Sequence, residues 1–228
     1  MKAFVMGAAL LLATTQAGAQ VGHVPAKSPY LDLEYSQELT LMGGYVRTRH
    51  DPAGILLKNM PILGARYEWM ITGPLALSSD FIAGSGSRDL IDPRKVVAAR
   101  NLGSTTNAMI AADVALALNL TGMRSWHRIV PQLRGGLGVV HSAAKDDSTG
   151  YSFGTPFAFV FGGGVKYVPG GRFQLRADVT DRVFKQNYTD AYYRLATDNT
   201  AVLPGTTKRS FYTHHTALTV GLSYLFAR

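Results

Sequence analysis

The 228-residue chain has no cysteine, and only 17% of its residues are charged. The missing thiols exclude disulfide scaffolds, thiolate metal sites and cysteine nucleophiles. No central apolar run reaches 18 residues and the mean hydropathy is near neutral at +0.04, which argues against helical membrane spans. Sparse charge beside 46% apolar residues also excludes a disordered chain. The formal net charge is +8, yet no Arg/Lys run or basic stripe points to nucleic acid. One membrane architecture survives: a closed β-barrel, whose strands alternate apolar with polar residues and so average to neutral hydropathy.

What is present begins with Met1 to Ala19. Lys2 is its single charge, an apolar run covers 3–13, and Ala17-Gly18-Ala19 precedes Gln20. These are the charged, apolar and A-x-A cleavage regions of a secretory signal peptide, with an apolar run too short to span a bilayer. The mature chain then carries 22 basic and 15 acidic residues, a net +7. Exported and free of disulfides, it is expected in the bacterial periplasm or outer membrane, its charge facing anionic lipid headgroups or lipopolysaccharide.

The remaining chain repeats one pattern. Leu39, Leu41, Gly43 and Tyr45 alternate with Glu38, Thr40, Met42 and Gly44, and Leu63, Ala65, Tyr67, Trp69 and Ile71 alternate with Gly64, Arg66, Glu68 and Met70. Gly73-Pro74 turns the chain into Leu75, Leu77 and Phe81; the cleanest strand follows at 110–120. Further strands are centred on 129–139, 157–167, 173–179 and 211–226. Period two with one apolar side predicts eight amphipathic strands. Connections near Gly73, Met123 and Gly170 are short, whereas 47–60, 84–107, 141–155 and 184–210 are long. Short turns alternating with long loops are the pattern of an outer-membrane barrel, periplasmic turns being the short ones. The predicted fold is therefore all-β, an eight-stranded antiparallel up-and-down transmembrane barrel. Ten strands is the runner-up, the extra pair coming from 191–203 or from the stretch before Ser36.

The polar face carries five acids, Glu38, Glu68, Asp80, Asp113 and Asp178, and five bases, Arg66, Arg134, Lys166, Arg176 and Arg182. Such balance predicts a paired network filling a narrow lumen, because an unpaired buried charge costs several kcal/mol. Tyr45, Trp69, Trp126, Tyr167 and Phe173 lie near strand ends, where interfacial aromatics belong.

The last strand, Thr219-Val220-Gly221-Leu222-Ser223-Tyr224-Leu225-Phe226, is followed only by Ala227 and Arg228. It resembles the terminal insertion signal of outer-membrane barrels, and the chain over 36–228 resembles small barrels of the opacity-protein and OmpA transmembrane-domain type. Segments 118–138 and 175–181 add to the likeness. The resemblance implies that Thr219, Gly221, Tyr224 and Phe226 are read by the barrel-assembly machinery. The aromatic is not the final residue, a departure that would weaken the signal, and no peptidoglycan-binding domain follows. Residues 20–35 are expected as a short periplasmic segment.

No constellation is expected to carry catalysis, and no cofactor is implied. His141-Ser142 point to opposite faces; His214 and Thr216 share one, without a Ser at that spacing. Asp146, Asp147, Asp181, Asp190 and Asp198 are scattered loop carboxylates that could meet divalent cations. Gly84-Ser85-Gly86-Ser87 lacks the Lys and helix of a phosphate cradle, and 88–100 reads as a short helix or a hairpin. The expected function is structural or surface-interacting, through a filled lumen and long extracellular loops with an unidentified partner. The alternatives are transport of small apolar molecules, as in OmpW-type barrels, and modification of lipid A.

Overall fold

A computed structural model describes residues 28–49, 51–143 and 149–226; the signal peptide, Asp146 and Asp147 lie outside them. The elements are β1 (Tyr30–Asp32), β2 (Gln37–Thr48), β3 (Met60–Thr72), β4 (Leu75–Ile91), α1 (Val97–Arg100), β5 (Asn101–Asn119), β6 (Arg124–Trp126), β7 (Ile129–Ala143), β8 (Phe157–Tyr167), β9 (Phe173–Asn187) and β10 (Ser210–Phe226). Eight of the strands close antiparallel in the cyclic order β2-β3-β4-β5-β7-β8-β9-β10, and β10 pairs back onto β2 from His215↔Thr48 to Phe226↔Gln37. Thr40 and Ser223 exchange a hydroxyl hydrogen bond of 2.9 Å across this seam.

Ten strands are present among the described residues, but the extra two do not enlarge the barrel. The stretch before Ser36 supplies β1, which pairs with β6 as a short ribbon beside the turn between β5 and β7. Residues 191–203 supply no strand; a single 3-10 turn occupies Asp190–Tyr193. The ribbon bends through His127 and Arg128 with φ of +50° and +66°, a two-residue connection normally made by Asn-Gly.

Alternation decides which side each residue takes. Leu41, Leu63, Val114, Leu137, Phe159, Leu175 and Leu222 point out and are exposed to the lipid side, while Thr40, Arg66, Asp113, Arg134 and Arg176 point in and are buried. The four long connections leave one end: L1 (49–59), L2 (92–100), L3 (144–156) and L4 (188–209). L2 is far shorter than the expected 84–107, because β4 and β5 continue to Ile91 and from Asn101 as strands of 17 and 19 residues. Beyond Ala83 the outward positions turn polar at Ser85, Ser87 and Thr106, so the sequence loses its alternation while the ladder persists. Gly84-Ser85-Gly86-Ser87 is thus strand, and 88–100 holds both readings: the strand end and then the one turn of α1. Ten or so residues suffice to cross a bilayer, a length that strands of 17 and 19 residues well exceed.

Candidate functional site

All ten expected lumen charges point inward and are buried. Eight form one network at the short-turn half of the barrel. Arg66 grips Asp80 with two bonds, Nε at 2.7 Å and Nη2 at 2.9 Å, and reaches Asp178 at 3.1 Å. Arg134 donates at 2.6 Å to Asp80 Oδ2, the oxygen that Arg66 Nη2 also reaches. Arg176 spans Glu38 and Glu68, each at 3.1 Å, and Asp178 at 2.9 Å, while Lys166 lies 2.7 Å from Glu38 and 2.5 Å from Glu68. Four carboxylates thus meet four cations, each acid touching at least two. Arg182 and Asp113 stand apart as a separate pair, Nε to Oδ2 at 2.9 Å. The two-pronged arginine contacts suit a dry interior, where the geometry must be good for attraction to offset desolvation.

Room for these long side chains comes from small neighbours. Gly138 is paired with Asp113, and Gly164 with Asp178. A Cβ on either would run into the carboxylate opposite, as well as the adjoining strand carbonyl. Ala115 and Ala117 are likewise buried on the inner face. The two-residue period puts Gly138 on the face of Arg134 and Gly164 on that of Lys166, but it does not show what they make room for; the signal is glycine at an inward position opposite an acid.

Toward the loops the lumen changes character. Ile55, Leu56 and Leu57 of L1 are buried in a core with Val46, Met60, Met109, Phe153, Phe184, Tyr188, Tyr192 and Leu203. The Asp51 carboxylate holds this insertion by accepting from the backbone N–H of Ile55 at 3.1 Å and of Leu56 at 2.9 Å. Burial, with the charge of Asp51 nearby, raises the Tyr151 and Tyr188 phenols in this core. L2 and L4 are tied above it: Arg100 donates to the carbonyls of Thr200 and Ala201, each at 3.1 Å, and Asp198 accepts from the Val97 N–H at 2.9 Å. One half of the lumen is filled by charges; the other is filled mainly by apolar loop residues, with Arg88 over the Tyr151 ring, Gln186 on the Tyr151 hydroxyl and His215 against Phe184 also buried there.

Two of the openings lined by described residues adjoin the lumen. A cavity of about 440 Å³ underlies the network at the short-turn end, lined by Leu33, Tyr35, Met70, Val168 and Leu225 above Glu38, Glu68 and Lys166. A second, about 480 Å³, lies where β8 stops at Phe157 while β9 continues to Asn187. Phe153 from the core and Phe157, Phe159, Lys185 and Tyr212 from the outer wall line it.

Of the expected interfacial aromatics, Trp69, Tyr167 and Phe173 stand exposed on the wall near the short turns, beside Tyr224. The Phe173 and Tyr224 rings are 5.4 Å apart. Trp126 belongs to the β1–β6 ribbon rather than the wall, because its segment turns off before β7. Tyr45 marks the other edge of the apolar band, paired with Pro61 and Leu218. Thr219 is buried and inward, and Gly221 is where a Cβ would press on the Leu41 carbonyl at 2.8 Å across the seam.

His214 and Thr216 share the outer face, and the structure adds Asp181 between them: its carboxylate lies 2.6 Å from His214 Nδ1 and accepts from the Thr216 hydroxyl at 3.1 Å. His141 is exposed and Ser142 buried. Asp190 pairs with Arg209, and the Asp198 carboxyl is held below its usual range by the Thr200 hydroxyl. Among the described residues no group of three or more potential metal ligands occurs.

No protein-family model and no curated protein matches the chain. Solved structures do. Neisserial surface protein A superposes with a TM-score of 0.54 at 10% identity, covering 83% of this chain and 97% of that one. The outer membrane protein OprG from Pseudomonas aeruginosa gives 0.54 at 11%, covering 85% and 98%. This chain has the fold of the small outer-membrane β-barrels. The outer membrane protein AlkL, solved in lipid bilayers, gives 0.50 at 18%, covering 91% and 97%. Within that fold, the lumen of this barrel is filled in two parts.

Proposed function

We propose that this barrel is a structural and surface-interacting component of the bacterial outer membrane, exported by its signal peptide, that conducts nothing through its centre. The observation carrying this reading is the double filling of the lumen, ionic below and apolar above, in a barrel whose eight strands leave width only for side chains. What remains for contact is the L2–L4 surface, where the cross-ties present an ordered face to a partner outside. Thr219, Gly221, Tyr224 and Phe226 act before that, as the segment the assembly machinery reads. No enzymatic step is assigned, since the Thr216 hydroxyl donates to Asp181 and not toward His214. Planar-bilayer recording tests the reading: brief or no openings are expected, and steady large channels would overturn it.

A second reading, passage of small apolar molecules, draws support from the apolar upper lumen and the aromatic cavity beside the end of β8. Under it, Phe153→Ala would speed uptake of a short alkane into cells carrying the protein at least severalfold. Equal uptake with and without the protein would sink it.

A further inference from the structure

We propose that the outer wall across β2, β10 and β9 binds the phosphate of an anionic, acylated lipid of the outer leaflet. The proposal rests on the outer-membrane reading above. Tyr45, Leu218 and Val179 form one cross-strand row of the wall, and all three are exposed and apolar. The next row up is Arg47, Thr216 and Asp181. The row above that holds His214 beside Val183, with the Arg49 N–H donating to the His214 carbonyl at 3.2 Å. Lys185, paired with Tyr212, stands one row higher. Apolar wall thus gives way to cations along a single line on three adjacent strands, at the level where acyl chains end and headgroups begin.

Same-face neighbours across a strand pair sit about 5 Å apart, and successive ones along a strand about 6.6 Å. Arg47, Arg49, His214 and Lys185 therefore surround a space the width of one or two phosphates. Arg47, Arg49 and Lys185 are exposed and make no ion pair among the described residues. The acid on this face, Asp181, does not oppose an anion: its side chain is 15% exposed, and its oxygens are engaged by His214 and Thr216. With Nδ1 turned to Asp181, His214 offers Nε2 to the headgroup. Guanidinium forks match phosphate oxygens in pairs. On β4 and β5 the outward residues Ser85, Ser87, Thr106 and Ala108 carry no charge, and beyond them Asp89 is already paired with Lys58 at 2.7 Å. The cations form a sector, not a ring. Its position directly above apolar wall, and not on the loop tips, favours a lipid over a soluble polyanion.

The test uses the full barrel refolded into phosphatidylcholine vesicles containing 5% bis-phosphorylated lipid A, with insertion read separately by heat-modifiable gel mobility. After exchange into neutral detergent, native mass spectrometry counts retained lipid A. Wild type should keep one, and R47Q/R49Q/K185Q should reduce retention at least tenfold, while K208Q in L4 leaves it unchanged. Undiminished retention by the triple variant overturns the proposal. So does equal retention of dephosphorylated lipid A, or displacement of lipid A by millimolar inorganic phosphate. If the triple variant does not insert, R47Q alone serves, with a severalfold loss expected. A wild-type barrel that fails to enter the vesicles overturns the membrane reading itself.

Discussion

Arg176 touches three carboxylates, Glu38, Glu68 and Asp178, and is 1% exposed. Replacing it by methionine keeps the bulk and leaves buried acids uncompensated, a loss of about 3–5 kcal/mol. Denaturant unfolding in detergent should show a clearly lower midpoint, and Arg134→Glu, which puts a fifth acid beside Asp80, should do the same. An unchanged midpoint would mean the network does not hold the barrel. The isolated pair separates charge from packing: Arg182→Met alone should destabilise, whereas Arg182→Met with Asp113→Leu should come near wild type, because removing both partners removes the desolvation as well. Gly164→Val is expected to cost more than about 1 kcal/mol by driving the Asp178 carboxylate off its arginines. These charges were legible in the sequence as an inventory, since period two places them on one face. Their pairing was not, because Glu38 and Arg176 are separated by 138 positions and meet only after the wall has curved shut.

At the scale of elements, the turn between β6 and β7 holds two non-glycine residues at positive φ, His127 and Arg128. Exchanging them for Asn-Gly should raise stability by about 1 kcal/mol, read as a later unfolding midpoint, since glycine enters this conformation without steric cost. Asp51→Ala removes the acceptor of the Ile55 and Leu56 N–H groups; L1 should then leave the upper lumen more often and become protease-sensitive. The L2–L4 tie depends on pH with a definite sign. The Asp198 carboxyl is lowered by its hydrogen bonds, so its contribution is present above the ordinary carboxylate range and is lost as pH falls through the lowered value. The protection of the Val97 amide against hydrogen exchange, relative to its intrinsic rate at each pH, should fall in acid and match that of Asp198→Ala there. Strand positions could be read because lipid on one side and lumen on the other impose alternation. The apolar half of the lumen could not, because Ile55-Leu56-Leu57 has no period and its burial depends on a loop folding back into the barrel.

For the whole molecule, strength comes from closure. β2 and β10 pair along twelve residue positions, yet Thr40 and Ser223 are 183 positions apart in sequence. Until β10 arrives, β2 presents an unsatisfied ladder edge, and lipid offers nothing to pair with it. A wall completed by its most distant strands also folds slowly. The seam is therefore the last ladder to form, and β10 must take its place along β2 before either edge is satisfied. Thr40→Val with Ser223→Val, which deletes the hydroxyl pair while sparing the backbone ladder, would show in insertion kinetics how far side chains help β10 take that place.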